Sequence, residues 1–345
     1  MTDSPFEIYA KSPTRVDFAG GTLDLWPLYN FLNDAKTINL AIDIYTHAIL
    51  RPKSSSEIIL KVKDLDCEKQ YANLAECLSD ADEKFLLLRK HIAYWRPMQG
   101  FELITWSESP IGGGLGGSSS LSVSISGAFA HWQNIKLETH PWVNLVHNVE
   151  AQVLKMPTGT QDYYPPILGG LNTLHYRVDA CHIKKWKFPV ETFDQSFLLV
   201  YTGKPHHSGF NNWQVYKDVI DDKKETVESL KELKAVSERM HKVCEHGRWQ
   251  ELAQIFNDEY NARVKISKVF TSPEIERLKE VSLRAGAQAV KICGAGGGGC
   301  VLVWCQPDSR DEVARACEKE NFQVLKAKGV EQGHVVVRRA VGKAN

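Results

Sequence analysis

The stretch PIGGGLGGSSSLSVSISGAFA, residues 110–130, decides the fold of this chain. Its first fifteen residues hold five glycines and five serines, and the rest is apolar or small. Glycine loses more backbone freedom on folding than any other residue, at a cost of about 0.5–1 kcal/mol relative to alanine inside a regular element. Such a composition fits a flexible linker, a structural turn, or a loop whose bare backbone approaches a ligand.

The flanking residues argue against the linker. GFELITWSESP (residues 100–110) predicts a strand before the loop. LSVSIS alternates like a strand, but a helix continues better into GAFAHW, so we predict a helix from near Ser118. A glycine loop that opens a helix presents backbone N–H groups at the positive end of the helix dipole, which favours phosphate. A plain turn remains the alternative. The predicted apolar helix face comprises Leu121, Ile125, Ala128, Phe129 and Trp132.

Composition restricts the classes of protein that remain. The 345 residues carry 42 basic and 42 acidic side chains, so no overall field attracts nucleic acid or an anionic membrane. No run approaches the roughly 18 apolar residues of a membrane span, and the first residues lack the order of a signal peptide. The eight cysteines form no CxxC pair. We expect a cytoplasmic monomer or homodimer with reduced thiols and no nucleic-acid or membrane partner.

Strand and helix patterns are mixed along the whole chain, with a break near residues 185–195. Ser272 and Pro273 mark the start of one helix, and Gly286 lies past its end. A second glycine loop, within KICGAGGGGCVLVW (residues 291–304), lies between two predicted strands. We predict an α+β protein with one domain over residues 1–190 and another over residues 191–345.

Three ordered motifs resemble the signatures of the GHMP kinases, the family of galactokinase, mevalonate kinase and homoserine kinase. The loop at 110–120 is similar to P-x-G-x-G-L-G-S-S-A, with Gly117 in place of the first serine and Ser118 matching the second. KSPTRVDFAGGTLDL (11–25) and residues 291–304 resemble the other two signatures. The resemblance implies a domain like ribosomal protein S5 domain 2, a ferredoxin-like domain, and a site between them for ATP and Mg²⁺. The implied nucleotide contacts are Pro110, Gly112, Gly113, Gly114, Leu115, Gly116, Gly117, Ser118, Ser119 and Ser120.

The resemblance also implies roles for individual residues. Asp162, in PTGTQDYYPPILGG, matches the aspartate that accepts the proton of the reacting hydroxyl, although aspartate also caps turns routinely. Glu150 and Ser118 are the implied magnesium ligands, although a lone helix glutamate is usually a solvated charge. Arg15 would lower the pKa of Asp162 or stabilise the transferred phosphoryl group. A purely structural salt bridge is the alternative for Arg15.

The first motif bears on the acceptor. DFAGGTLDLWPLY (17–29) looks like R-[IV]-S-F-A-G-G-G-T-D-L-P of the bacterial heptose 7-phosphate kinases and fucose kinases, with Asp17 in place of serine. Asp24 matches the aspartate that contacts sugar hydroxyls, or else it caps a helix near Pro27. Lys204 and His207 lie in a polar loop that either grips the acceptor or is merely exposed. The implied substrate contacts are Gly20, Gly21, Thr22, Asp24, Lys204, His207, Gly294, Ala295, Gly296 and Gly297.

These residues predict ATP-dependent phosphorylation of a sugar hydroxyl, with D-glycero-D-manno-heptose 7-phosphate or a related sugar as acceptor. Three alternatives remain open. The first is a kinase for an isoprenoid alcohol or homoserine, and the second is a mevalonate diphosphate decarboxylase of the same fold. The third is an inactive sugar-binding relative, against which Ser118, Glu150 and Asp162 argue.

Overall fold

The computed structural model describes residues 6–205 and 208–340 and contains two β-sheets. The larger sheet has eight strands in the order β12-β1-β2-β5-β3-β4, with β6 and β7 attached through β2. All its pairings are antiparallel except β3 with β5. Its strands are β1 (Phe6–Ala19), β2 (Ala35–Pro52), β3 (Ile58–Val62), β4 (Cys67–Tyr71), β5 (Phe101–Ser107), β6 (Leu171–Tyr176), β7 (Cys181–Trp186) and β12 (Val335–Ala340).

The smaller sheet has four antiparallel strands in the order β11-β8-β10-β9. Its strands are β8 (Phe197–Tyr201), β9 (Ala287–Ile292), β10 (Cys300–Cys305) and β11 (Gln323–Leu325). The α+β class is therefore confirmed. The division at residue 190 stays a prediction, and β12, near the end of the chain, pairs with β1 in the larger sheet.

Twelve α-helices lie within the described residues, and none of them is both long and apolar enough to cross a bilayer. The predicted signals at the two ends of α11 are correct: Ser272 accepts from the N–H of Ile275, and Gly286, just past the other end, has a φ of 104°. The helices are α1 (Leu28–Phe31), α2 (Leu74–Ser79), α3 (Leu86–Trp95), α4 (Gly117–Trp132), α5 (Thr139–Leu154), α6 (Tyr164–Leu168), α7 (Val190–Ser196), α8 (Ser208–Ile220), α9 (Lys224–His246), α10 (Leu252–Ile266), α11 (Pro273–Arg284) and α12 (Arg310–Lys319).

The helix predicted from near Ser118 is α4, which is almost wholly buried against β1 and β2. Serines at every second position of LSVSIS explain why this part of the helix alternates like a strand. Ser120 donates to the carbonyls of Ser12 and Pro13 in β1, and Ser124 bonds the Ser12 hydroxyl and the Thr46 carbonyl. These short side chains let the helix approach the sheet closely while their hydroxyls remain hydrogen-bonded, as buried polar groups require.

One hydrophobic core joins the two sheets. Phe18 from β1 stacks on Phe193 at 5.0 Å between ring centroids and meets Phe256 of α10 edge-on at 5.6 Å. Residues of β2, α9, β8 and β10 belong to the same buried cluster. Since packed cores resist deformation, this contact fixes the relative position of the two sheets.

The two glycine loops pack backbone against backbone. The N–H of Cys300 donates to the carbonyl of Gly113 at 2.8 Å. A Cβ atom on Gly114 would lie 2.6 Å from the carbonyl oxygen of Cys293, and one on Gly294 would lie 2.9 Å from the Cα of Gly114. Side chains do not fit at this contact, so several glycines serve the junction between the loops rather than a ligand.

We predict that Gly114→Ala destabilises the protein more than Gly203→Ala. Both glycines have a positive φ, 73° and 80°, so both substitutions carry the left-handed cost of about 1–2 kcal/mol. Apart from Gly203 itself and its two chain neighbours, no atom of the described chain lies within 4 Å of a Cβ at this position. Only Gly114→Ala adds a steric clash, which typically costs a further 1–3 kcal/mol or so.

Guanidinium unfolding of the two variants measures this difference directly. Equal losses in the free energy of unfolding would show that the loop contact adjusts without cost.

Candidate active site

A cavity of about 380 Å³ lies where the first glycine loop, the loop after β1 and residues 158–163 meet. The glycine loop contributes residues 112–114 and 116–117, followed by Ser118 and Ser119 from the start of α4. Gly294 and Ala295 line the cavity from the second glycine loop. The cavity is therefore built by segments from both sides of the predicted domain boundary.

Asp162 and Arg15 form an ion pair in the wall of this cavity. Nε and Nη2 of Arg15 both donate to Oδ1 of Asp162, at 2.9 and 2.7 Å. The third contact of the guanidinium, from Nη1, is to the carbonyl of Gly114 at 2.6 Å. Arg15 is 2% exposed and Asp162 is 28% exposed, so the arginine orients a carboxylate that still reaches the cavity.

The environment keeps Arg15 charged. Burial alone would lower the pKa of its guanidinium, but the carboxylates of Asp162 and Asp17 outweigh burial and raise it. A buried arginine held by carboxylates cannot take part in proton transfer near neutral pH. Its contribution to the site is a fixed positive charge and a fixed orientation of Asp162.

Glu150 of α5 lies beside the start of α4. Its Oε2 accepts from the Ser119 hydroxyl at 2.7 Å and from the Tyr163 hydroxyl at 2.5 Å. The side chain is buried and lines the cavity, so Glu150 is not the solvated charge of the alternative interpretation. Ser118 is exposed and also lines the cavity. Ser119 thus contacts the carboxylate directly, whereas the hydroxyl of Ser118 is open to solvent.

Asp24 is 3% exposed and lines the cavity. It does not cap a helix: α1 starts after Pro27 without a side-chain cap, whereas Oδ2 of Asp24 accepts from the N–H of Gln161 at 3.0 Å. Burial raises the pKa of Asp24 to about 6, the backbone hydrogen bond from Gln161 opposes this, and the charge of Asp162 adds to it. Gly159 leaves room for the carboxylate, since a Cβ there would overlap it.

Some residues singled out in the sequence are not in the cavity. Gly20 packs on the backbone of Lys36, and Gly21 packs on Asp17 and Arg263 behind the cavity. Lys204 pairs with Glu274 at 3.3 Å on the surface of the protein. Leu115 and Ser120 are buried below the loop, and Gly296 and Gly297 contact Phe270 and Val269. His207 lies outside the described residues.

The cavity wall also contains residues that sequence reasoning missed. Thr158, Gln161 and Tyr163 flank Asp162 in the loop before α6, and Asn212 comes from α8. The polar composition of TGTQDYY was a usable signal for the first three. Asn212 donates to the carbonyl of Pro157 at 3.5 Å, a contact that no local pattern reveals.

Comparison with known proteins identifies the class to which this fold and this cavity belong. The chain matches the family model of the GHMP kinases N-terminal domain over residues 79–170. It matches the model of the GHMP kinases C-terminal domain over residues 240–323. The chain belongs to the GHMP kinases, and the resemblance drawn from the three motifs is confirmed.

Individual relatives cover nearly the whole chain. The D-glycero-alpha-D-manno-heptose 7-phosphate kinase of Campylobacter jejuni is 26% identical over 92% of this chain and 95% of its own length. The mevalonate kinase of Methanocaldococcus jannaschii is 25% identical over 84% of this chain and 91% of its own. The solved D-glycero-D-manno-heptose 1-phosphate kinase of Bacteroides thetaiotaomicron superposes with a TM-score of 0.79 at 22% identity, over 96% of this chain and 98% of that one.

We predict that Asp24→Asn stabilises the protein at pH 7.5. Because the pKa of Asp24 is about 6 in the folded protein and near 3.8 when unfolded, the folded state holds an extra proton between these values. Stability therefore falls as pH rises through this window, and the full cost of the buried charge, on the order of 2–3 kcal/mol, is present at pH 7.5. The variant lacks that cost, so its Tm exceeds that of the wild type by more at pH 7.5 than at pH 5.

Asp34→Asn is the control of opposite sign. Burial opposes ionisation there too, but hydrogen bonds from Lys234 and His175 prevail and lower the pKa of Asp34 to about 2. Its loss destabilises the protein at pH 7.5. Thermal unfolding of both variants at the two pH values checks these signs, and a destabilised Asp24→Asn at pH 7.5 would contradict the assignment.

Proposed function

We propose that the protein transfers the γ-phosphoryl group of ATP to a hydroxyl of a sugar, with D-glycero-D-manno-heptose 7-phosphate or a related sugar as acceptor. One observation carries this proposal. Asp162, whose carboxylate is held by the buried Arg15, shares a cavity with the start of α4. The same cavity contains Asp24, whose carboxylate is buried. Phosphoryl transfer needs an anion-binding cradle and a positioned acceptor hydroxyl.

The start of α4 supplies the cradle for the phosphates. The first helical hydrogen bond of this segment runs from the N–H of Ser120 to the carbonyl of Gly116 at 2.8 Å. The N–H groups of residues 117–119 therefore have no partner within the helix, and these residues line the cavity. Together with the helix dipole they favour an anion at this position.

The residues beside this cradle fit a magnesium ion carried by the nucleotide. Carboxylate and hydroxyl oxygens suit Mg²⁺, which keeps water and phosphate oxygens as its other ligands. Glu150 and the open hydroxyl of Ser118 would hold the ion, while Ser119 and Tyr163 orient the carboxylate of Glu150. Within the described parts of the chain, no three His, Cys, Asp or Glu side chains form a metal cluster. Bound Mg²⁺ neutralises charge on the phosphates.

Asp162 would act on the acceptor. Its Oδ1 is occupied by Arg15, which leaves Oδ2 to accept the proton of the attacking hydroxyl. The fixed charge of Arg15 lies beside the same carboxylate and would stabilise negative charge that develops in the transition state. In this proposal Asp162 accepts the proton and Arg15 supplies only a permanent charge. An arginine suits the position beside Asp162 better than a titratable base for this reason.

Asp24 and Thr22 would bind the acceptor, because both line the cavity on the side of the β1–α1 loop. Asp24 forms no ion pair with a described lysine or arginine, and such a buried carboxylate pairs well with neutral hydroxyl donors, as a sugar offers. The heptose 7-phosphate kinase relative supports this class of acceptor, and the mevalonate kinase relatives keep an isoprenoid alcohol as the second candidate. The eight free cysteines suit the reducing cytoplasm, and a monomer or homodimer remains our expectation.

An ADP-release screen tests the acceptor. We expect magnesium-dependent ADP release with a heptose 7-phosphate or a related sugar, and none with mevalonate, mevalonate diphosphate or homoserine. Galactose and fucose complete the panel. ADP release only with mevalonate or homoserine would replace the sugar assignment, and carbon dioxide release with mevalonate diphosphate would indicate a decarboxylase.

Asp162→Asn tests the proposed base. The amide keeps an acceptor oxygen for Arg15 but cannot take a proton, so we expect kcat to fall about 10²–10⁴-fold, or ~2.7–5.5 kcal/mol of barrier. The Kd for ATP should change little, because the expected phosphate contacts lie at the start of α4. Steady-state kinetics and ATP titration measure both quantities.

Asp64→Asn is the matched control. Asp64 is an exposed carboxylate that lines the same cavity without contacting Arg15 in the described structure, so its loss reports the effect of charge alone. Its kcat should stay within a few-fold of the wild type. Near-normal turnover of Asp162→Asn would remove Asp162 from the catalytic residues.

A further inference from the structure

Four charged side chains lie completely buried behind the cavity. They are Asp17 of β1, Glu259 and Arg263 of α10, and Lys291 of β9, and each is at most 1% exposed. Lys291 pairs with Asp17 and lies 3.3 Å from Glu259, while Arg263 bonds Glu259 at 2.7 Å and lies 3.6 Å from Asp17. The cluster has no net charge.

Arg263 is the member that reaches the cavity wall. Nε and Nη2 donate to Glu259 at 2.9 and 2.7 Å, and Nη2 also donates to the carbonyl of Gly21 at 3.1 Å. Nη1 donates to the carbonyl of Gly294 at 3.2 Å and to the hydroxyl of Thr22 at 3.5 Å. A guanidinium has five N–H groups, and these five contacts match them.

The contacts of Arg263 connect two loops that are far apart in sequence. Thr22 belongs to the β1–α1 loop, which also carries Asp24, and Gly294 belongs to the second glycine loop. Thr22 has a φ of 83°, a conformation that a β-branched residue seldom adopts unless its surroundings enforce it. Gly21 lacks the Cβ that would lie 2.7 Å from Nη2 of Arg263.

Stability alone does not account for this cluster. Replacing buried ion pairs by apolar residues of similar volume is often neutral or stabilising, because desolvation offsets the attraction between the charges. Burial works against ionisation of Asp17, yet Lys291, Arg263 and Arg15 together lower the pKa of its carboxyl and keep it charged. A cluster that contributes little net stability but makes three hydrogen bonds to two loops is better explained by the geometry that it enforces.

We propose that Arg263 is a positioning residue for the acceptor, which holds the β1–α1 loop and the second glycine loop at the separation that the acceptor requires. Glu259 compensates the charge of Arg263, and the Asp17–Lys291 pair fills the remaining space between the loops and α10. Asp17 stands where the sugar-kinase motif has serine. Its pairing with the buried Lys291 explains this difference. Only the kinetic test of this inference rests on the proposed function.

Arg263→Lys tests the proposal. Lysine keeps the charge but has three donors at a single point, so it cannot bond Glu259 and both loops simultaneously. We expect the KM for the acceptor to rise tenfold or more, while the KM for ATP stays within about threefold. Hydrogen exchange of residues 20–24 and 293–296 should become at least tenfold faster, a readout that does not depend on activity.

The double variant Asp17→Asn/Lys291→Met is the matched control. It removes the Asp17–Lys291 pair together with the longer contacts of Asp17 to Arg263 and of Lys291 to Glu259, and it leaves the cluster neutral. The hydrogen bonds of Arg263 to Glu259 and to both loops remain, so acceptor KM and exchange of both loops should stay within about threefold of the wild type. An unchanged acceptor KM and unchanged exchange in Arg263→Lys would overturn the proposal. Equal effects in the two variants would also overturn it, because the cluster would then act only through general stability. If no sugar is phosphorylated by the wild type, the proposed function fails, and hydrogen exchange still decides the role of Arg263.

Discussion

The active site depends on the direct contact between two stretches of backbone. Residues 112–114 and 293–300 meet at distances that exclude side chains, and a hydrogen bond from Cys300 to Gly113 joins them. The first stretch leads into α4, and the second leads from β9 into β10. The N-terminus of α4 and the second glycine loop consequently share one wall of the cavity, and neither can move without the other.

The packing below this contact supports the same geometry. The serine face of α4 hydrogen-bonds the backbone of β1, and Arg15 of β1 returns two bonds to the loop, from its backbone N–H to Leu115 and from its side chain to Gly114. Because Arg15 also binds Asp162, the proposed phosphate cradle and the proposed base are held by one side chain. The glycines of the first loop are therefore needed for two reasons. They allow the close approach of the second glycine loop, and they leave the N-terminus of α4 accessible from the cavity.

Local patterns predicted the parts of the structure that local chemistry determines. The helix from residue 117 and the cap at Ser272 followed from short motifs. Asp24 and Asp162 both line the cavity, as the resemblance to the GHMP kinases implies, and their roles stay predictions. Local patterns do not reveal strand β1, because its buried half carries Arg15 and Asp17, whose charges are compensated by Asp162 and Lys291, residues distant in sequence. Lys204 seemed available for an acceptor because its partner, Glu274, is likewise invisible to any local pattern.

The pairing of β12 with β1 has a consequence for synthesis on the ribosome. β1 ends at Ala19, but the strand that covers its outer edge begins only at Val335, so β1 emerges long before β12. His334, just before it, fills the space left by Gly127 on α4. Until β12 is made, the nascent chain exposes an unpaired strand edge, which is a template for association with other chains. The larger sheet is thus completed only when β12 has been made, and nascent chains halted before residue 335 present this edge to chaperones.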